Sequence, residues 1–212
     1  MSHPAAVQDG IFVGNRFDKH GSANPVVRRL MAGFDRGLRD LLALAGPVRS
    51  ALEVGCGEGH VTAALADSLP GARVLGTDFS TDILAVARRE HPGLEFQAVS
   101  AYDIGQLPGE WDLVVACEVF EHLAEPARAL RAAAAVARRA VLVTVPREPL
   151  WRLLNLARGQ YWSRLGNTDG HLQHWSRAGL LRFLATELEL VAWRSPLPWT
   201  QALGVPRRRA AA

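Results

Sequence analysis

The segment Leu52-Glu53-Val54-Gly55-Cys56-Gly57-Glu58-Gly59-His60 joins a short apolar run to an acid, three alternating glycines and a helical pattern. Glycine turns tightly and lets a ligand approach the main chain, so this stretch has the makings of a binding loop. Asp78 follows Gly59 by 19 residues, at the end of a second apolar run. An acid there can accept both hydroxyls of a ribose. Dinucleotide folds space their glycines G-x-G-x-x-G and seat a pyrophosphate on the helix N-terminus. Here the spacing is G-x-G-x-G, and Glu53 stands two residues before the first glycine. A carboxylate there repels a pyrophosphate, which sets a nicotinamide dinucleotide aside. It suits an adenosine ligand that carries a sulfonium and an ammonium.

A second group lies around His122. Its side chain titrates near neutrality, so it is the candidate general base; the alternative is a histidine that fixes the loop. Glu118, Glu121 and His122 have i, i+3, i+4 spacing and share a face if that turn is helical. With His171 or His174 they could hold a divalent ion that polarises a vicinal diol, although no metal is assigned. The histidines of His171-Leu172-Gln173-His174-Trp175-Ser176 either reach the site or cap and pack a loop. Cys56 and Cys117 make neither a disulfide scaffold nor a zinc site.

These residues need elements to hold them. Residues 1–23 read as a loose arm with short helical turns. Asn24-Pro25 reads as a helix start, with an amphipathic helix to about Leu44 that Gly46-Pro47 ends. Strands are expected at 51–54, 73–77, 94–98, 111–117, 140–145 and 188–193. Helices are expected at 60–68, 81–90, 126–139, about 150–165, and from Ser176 to about Glu187. This alternation predicts an α/β fold: Rossmann-like, doubly wound, with a mostly parallel sheet, helices on both faces and an N-terminal helical cap. Ligands in such sheets sit at the carboxyl ends of the strands. One domain over 1–212 is expected. It divides into an arm and cap helix (1–46), a cofactor-binding core (47–145), a lid or substrate segment (146–175) and a C-terminal helix and strand (176–212). Residues 195–212, with Pro196, Pro198 and Pro206, resist assignment.

Composition narrows the classes. The chain has 212 residues, 49% of them hydrophobic, and a formal charge of +3, which is weak for a nucleic-acid binder. Its basic residues are 23 Arg and Lys19, and the one dense run, Arg207-Arg208-Arg209, reads as a solvated tail. No stretch approaches the roughly 18 apolar residues of a membrane span, and the first twenty residues hold no signal-peptide core. A cytoplasmic location is expected.

The motifs E-V-G-C-G-E-G at 53–59, G-T-D at 76–78, S-A-Y-D-I at 100–104 and W-D-L-V-V-A-C-E-V-F-E-H-L at 111–123 stand in a known order. In this the chain resembles class I S-adenosylmethionine-dependent methyltransferases of the methyltransferase domain 11 type, which include the ubiquinone-biosynthesis O-methyltransferases. The resemblance implies S-adenosyl-L-methionine as cofactor. It implies that Gly55, Cys56, Gly57 and Gly59, with Glu53, cradle the methionine part. Asp78 would bind the ribose, Phe79 would flank the adenine, Asp103 would reach the adenine amino group, and Tyr102 would also line the cofactor site. Cys117 and Glu118 would lie beside the methionine end. The E-x-x-E-H pattern of Glu118, Glu121 and His122 with distant His171 also resembles the metal site of small-RNA 2′-O-methyltransferases. A metal-dependent RNA methyltransferase and a non-catalytic cofactor binder are therefore the rival readings.

The expected acceptor is a small or amphipathic molecule, lipid-like included, methylated at oxygen; no nucleic acid is expected. Residues 147–170 interleave Trp151, Tyr161, Trp162 and several leucines with Arg147, Arg152, Arg158 and Arg164. They read as a lid over the pocket, with peripheral contact to an anionic membrane as the alternative. Trp151, Tyr161, His171 and His174 are the candidate substrate residues.

Overall fold

The computed structural model describes residues 6–8, 11–13, 22–157, 159, 161–168 and 170–207. Arg158, Arg208 and Arg209, and most of the N-terminal arm with Lys19, lie outside them. What is described of the arm is a pair of antiparallel strands, β1 (Ala6–Gln8) and β2 (Ile11–Val13), not helical turns.

Helix α1 (Pro25–Leu42) starts as its sequence dictates: the Asn24 side chain accepts from Val26 N at 2.9 Å and Pro25 opens the first turn. There follow β3 (Ser50–Val54), α2 (His60–Ser68), β4 (Arg73–Asp78), α3 (Thr81–Glu90), β5 (Glu95–Ala98) and β6 (Trp111–Cys117). The chain continues through α4 (Pro126–Val136), β7 (Ala137–Pro146), α5 (Leu150–Ala157), α6 (Arg177–Leu184), β8 (Leu188–Arg194) and β9 (Trp199–Pro206). The main sheet has the order β5-β4-β3-β6-β7-β9-β8. Its first five strands are parallel neighbours, and β9 enters antiparallel between β7 and β8.

The strands alternate their faces, and helices cover both. Ala51, Leu113, Val115 and Leu142 face a layer made by Phe34, Leu38 and Leu41 of α1 and Leu65 of α2. Leu52, Val54, Val114 and Ala116 face Leu130 and Ala133 of α4 and Leu180 and Leu184 of α6. Many of these side chains are fully buried, each worth about 1.5–3 kcal/mol over exposure. This is the expected α/β architecture. The order reverses between β3 and β6, so the loops after β3, β4 and β6 meet at the switch point, where open sheets bind ligands.

Several boundaries differ from expectation. The helix expected to reach Arg139 ends at Val136, because Ala137 already pairs with Trp111. Arg138 and Arg139 stand exposed on that strand and meet Glu110 and Asp112 across it at 3.6 and 3.7 Å. The helix expected over 150–165 stops at Ala157; a separate 3-10 turn spans Trp162–Arg164. Gly159 and Tyr161 take positive φ values of 71° and 56°, which no α-helix holds. The last helix ends at Leu184, short of Glu187; Ser176 caps its start as expected, accepting from Gly179 N at 3.2 Å. The unassigned end contains a strand that is mostly buried, β9.

Candidate active site

The glycine loop closes over the end of β3. Gly55, Gly57 and Gly59 all have positive φ, at 70°, 53° and 86°. Two of them are also packed tight: a Cβ on Gly55 would fall 2.5 Å from Val119 Cγ2, and one on Gly59 2.8 Å from Phe96 Cζ. Gly57 differs, since a Cβ there would meet nothing within 4 Å. The loop therefore leaves open space over Gly57, beside Asp78. Gly59→Val is expected to lose cofactor binding and most of the stability of the α2–β5 region, through both strain and the clash. Calorimetric titration with S-adenosylhomocysteine and urea unfolding check this.

Asp78 ends β4 and ties the loops together. Its Oδ2 accepts from Gly57 N at 3.1 Å and its Oδ1 from Ser80 N at 3.0 Å. Cys56 N donates to Thr77 O at 2.8 Å, which fastens the glycine loop to the same strand. Burial raises the Asp78 carboxyl above the ordinary range, and its backbone hydrogen bonds oppose that. Phe79 follows it, half-buried.

Glu53 is the more unusual acid. It is 1% exposed, accepts a short hydrogen bond from the Thr62 hydroxyl at Oε2, and its carbonyl accepts from Thr77 Oγ1 at 2.8 Å. Burial pushes its carboxyl up to about 8; the Thr62 bond opposes this and the nearby Asp78 adds to it. Two acids thus flank the loop, both held above their ordinary values by burial. That donor set fits a cationic adenosine ligand. Burial likewise raises both thiols, so Cys56 and Cys117 stay protonated and make poor nucleophiles.

Tyr102 and Asp103 stand on the turn after β5. Tyr102 OH accepts from Glu125 N at 3.2 Å, Arg128 lies 4.8 Å over its ring, and Asp103 is 3.5 Å from the same guanidinium.

The loop after β6 carries the second group. Glu118 has φ 57°, and its N–H donates to Thr144 O at 2.8 Å. Trp199 Nε1 donates to Glu118 Oε1 at 2.7 Å. Sequence reasoning missed Trp199; its prolines hid the strand. Trp199 also meets Phe34 of α1 edge-on at 5.1 Å and Trp151 of α5 at 6.2 Å, and so joins three elements. His122 Nδ1 lies 3.0 Å from Gly170 O. A carbonyl only accepts, so Nδ1 carries the proton of this contact. The His122 and His171 rings are 4.9 Å apart, and His171 stacks on Trp151 at 6.2 Å.

Of the four expected metal-ligating residues, three come together: ligand atoms of Glu121, His122 and His171 lie within 4.8 Å of one another. Glu118 is not in this group, and neither is His174, whose Nε2 is 2.7 Å from Asn167 Oδ1. Tyr161 holds a tight turn, its carbonyl accepting from Gly166 N at 2.9 Å.

Residues 161–168 fold back against α5. Trp151 Nε1 donates to Thr168 Oγ1 at 2.9 Å and Asn155 Nδ2 to Gly166 O at 2.9 Å. Leu153, Trp162 and Leu165 are left more than half exposed. No helix among the described residues is long and apolar enough to cross a membrane.

Comparison with known proteins agrees with this geometry. Residues 52–140 match the family described as "Methyltransferase domain". The chain is 32% identical over 163 residues to the ubiquinone biosynthesis O-methyltransferase of Methylococcus capsulatus, covering 68% of itself and 67% of that protein. It is 42% identical over 89 residues to an uncharacterised protein of Synechococcus, of which it covers 21%. The chain spans about half the length of several further ubiquinone biosynthesis O-methyltransferases it matches. Among solved structures, the magnesium protoporphyrin IX methyltransferase of Synechocystis with bound SAH superposes with a TM-score of 0.63. At 20% identity, over 88% of this chain and 90% of that one, this likeness speaks to the fold.

Proposed function

The chain belongs to the class I S-adenosylmethionine-dependent methyltransferases, and on that premise we propose that it methylates a small or amphipathic acceptor at oxygen. The observation that carries the proposal is His122. Its ring is held as the Nδ1–H tautomer by the Gly170 carbonyl, beside the aromatic surfaces of His171 and Trp151. An imidazole with a lone pair at Nε2 can take the proton of a hydroxyl acceptor, and aromatic neighbours suit an acceptor with an apolar body.

S-adenosylmethionine supplies a methyl group on a sulfonium, open to in-line displacement. The chain's own residues do the rest. Asp78 holds the ribose hydroxyls, with Phe79 and the Tyr102-Asp103 turn at the adenine. The main chain of 55–59, with that of Cys117 and Glu118, lines the methionine end. Glu53, protonated in the free protein up to about pH 8, gives up its proton when the cationic end binds and then supplies negative charge beneath that loop without entering the reaction. Trp199 keeps the Glu118 carboxylate turned toward the C-terminal strand. Residues 150–157 with 161–168 form a lid that excludes water, and its exposed Leu153, Trp162 and Leu165 suit a lipid-like acceptor delivered from a membrane surface.

The test is incubation with methyl-labelled cofactor and a host extract, partitioned into lipid, small-molecule, protein and RNA fractions. Label is expected in the lipid or small-molecule fraction. With the acceptor so found, His122→Ala lowers kcat by about 10²–10⁴-fold, the range for a general base. It leaves the Kd for S-adenosylhomocysteine within about twofold. Label in RNA overturns the acceptor class. Cofactor binding without any labelled product favours a non-catalytic binder.

A second reading rests on the Glu121, His122 and His171 group, which has donors for a divalent ion that would polarise the acceptor. Its mark is activity that a chelator abolishes and His171→Ala abolishes equally.

A further inference from the structure

A second cluster of metal-ligating side chains stands apart from the groups above. His60 opens α2, Glu90 is the last residue of α3, and His91 caps that helix. Thirty residues of chain separate the two histidines, yet one ligand atom from each of the three side chains lies within 4.8 Å of the others. The imidazole rings are 5.7 Å apart and nearly perpendicular, at 86°. We propose that His60, Glu90 and His91 bind a divalent transition-metal ion of the zinc class.

The donor set selects the ion. Two imidazoles and one carboxylate suit zinc and its neighbours, whereas magnesium and calcium take oxygen shells. Donors around a tetrahedral zinc sit roughly 3.3 Å apart, from bond lengths of about 2.0–2.2 Å. Side-chain rotation closes the difference, and Glu90, on the exposed end of α3, has room to make it. Its contact with Arg89, at 3.8 Å between exposed groups, is a weak competitor. His91 Nε2 is screened from solvent with no hydrogen-bond partner among the described residues. Buried polar atoms are nearly always satisfied, and an ion at this cluster gives the imidazole a bonding role. The carboxyl end of α3 also presents backbone carbonyls, whose dipole favours a cation.

The position has a consequence for the glycine loop. His60 directly follows Gly59, and a Cβ on Gly59 would fall 3.0 Å from His91 Cδ2. An ion held by these three side chains fixes the exit of the loop against the end of α3. No residue of this site belongs to the Glu121, His122 and His171 group.

The full chain, stripped with a chelator and dialysed, is titrated with Zn²⁺ by calorimetry. Co²⁺ is titrated in parallel and followed by visible absorption. Micromolar or tighter Zn²⁺ binding is expected, at one equivalent for this site. Glu90→Gln, on the surface and harmless to the fold, weakens it at least tenfold, and His91→Ala abolishes it. His171→Ala keeps it. Should the second cluster also bind, two equivalents fall to one in His91→Ala and in His171→Ala alike. The proposal is overturned if the wild type binds no Zn²⁺ at micromolar concentration. It is overturned equally if Glu90→Gln and His91→Ala both bind as the wild type does, or if only His171→Ala loses the ion.

Discussion

Glu53→Gln gives a protein that resists unfolding better than the wild type at pH 8–9 and binds S-adenosylmethionine about 10–100-fold more weakly. Both effects come from one buried carboxyl. Gln keeps the shape and leaves an oxygen to accept from Thr62, so the hydrogen bond at Oε2 survives. What changes is charge. The folded protein holds Glu53's proton up to about pH 8, while the unfolded chain releases it near 4.5. Between those values the native state carries more protons than the unfolded one, so stability falls as pH rises. The whole penalty is present above about 8 and absent below about 4.5. Each tenfold difference in proton affinity between the two states is worth about 1.4 kcal/mol, so the penalty is on the order of a few kcal/mol, and Gln removes it. Urea unfolding at pH 5, 7 and 9 reads this directly: the wild type loses stability across the series and the variant stays flatter.

The same carboxyl gives cofactor binding its pH dependence. A cationic ligand favours the ionised form, so affinity for S-adenosylmethionine rises with pH toward about 8 and then levels. Binding below that pH releases a proton, seen as a buffer-dependent heat in calorimetry. The variant shows neither. A charged hydrogen-bonding or ionic contact is worth about 1.5–3 kcal/mol, which sets the 10–100-fold loss. Equal affinity in wild type and variant at pH 8.5 would remove Glu53 from the binding of the cationic end.

The parts of the fold that followed local rules were legible. α2, α3 and β6 fall on the residues their patterns named, because cap, glycine and apolar run agreed with the tertiary packing. The parallel core announced itself through strands apolar on both faces, since both faces are covered. Strand β9 did not. It carries Thr200 and Gln201 in the interior, where Gln201 Nε2 donates to the Phe34 carbonyl at 3.1 Å across to α1. A polar pair inside a strand flanked by prolines reads as loop until its partners are known. Trp199 was hidden for the same reason. The group of Glu121, His122 and His171 was legible in part: all three stood among the candidate ligands, but only the fold could set His174 aside and leave Glu118 outside. At His60 and His91 no motif existed; thirty residues close into a contact there because α2 and α3 flank the same loop.

Asp78→Asn is the second large expected effect: at least 10²-fold weaker binding of S-adenosylmethionine and of S-adenosylhomocysteine alike. The two carboxylate oxygens each accept a backbone N–H, from Gly57 and from Ser80. Asn has one oxygen, so its amide must turn an NH₂ toward one of two N–H donors. A buried donor left facing a donor costs about 1–3 kcal/mol. The Gly57 bond is the one that shapes the loop, and the ribose hydroxyls would lose a charged acceptor as well. Losses of this kind on both sides multiply to 10²-fold or more. The effect is blind to the sulfonium, because the product lacks that charge and keeps the ribose. Glu53→Gln therefore weakens the cationic substrate more than the product, and Asp78→Asn weakens both to the same degree. Measuring both ligands on both variants separates the two ends of the site. If Asp78→Asn spared S-adenosylhomocysteine, the ribose would have to lie elsewhere, and the glycine loop would hold its shape without that carboxylate.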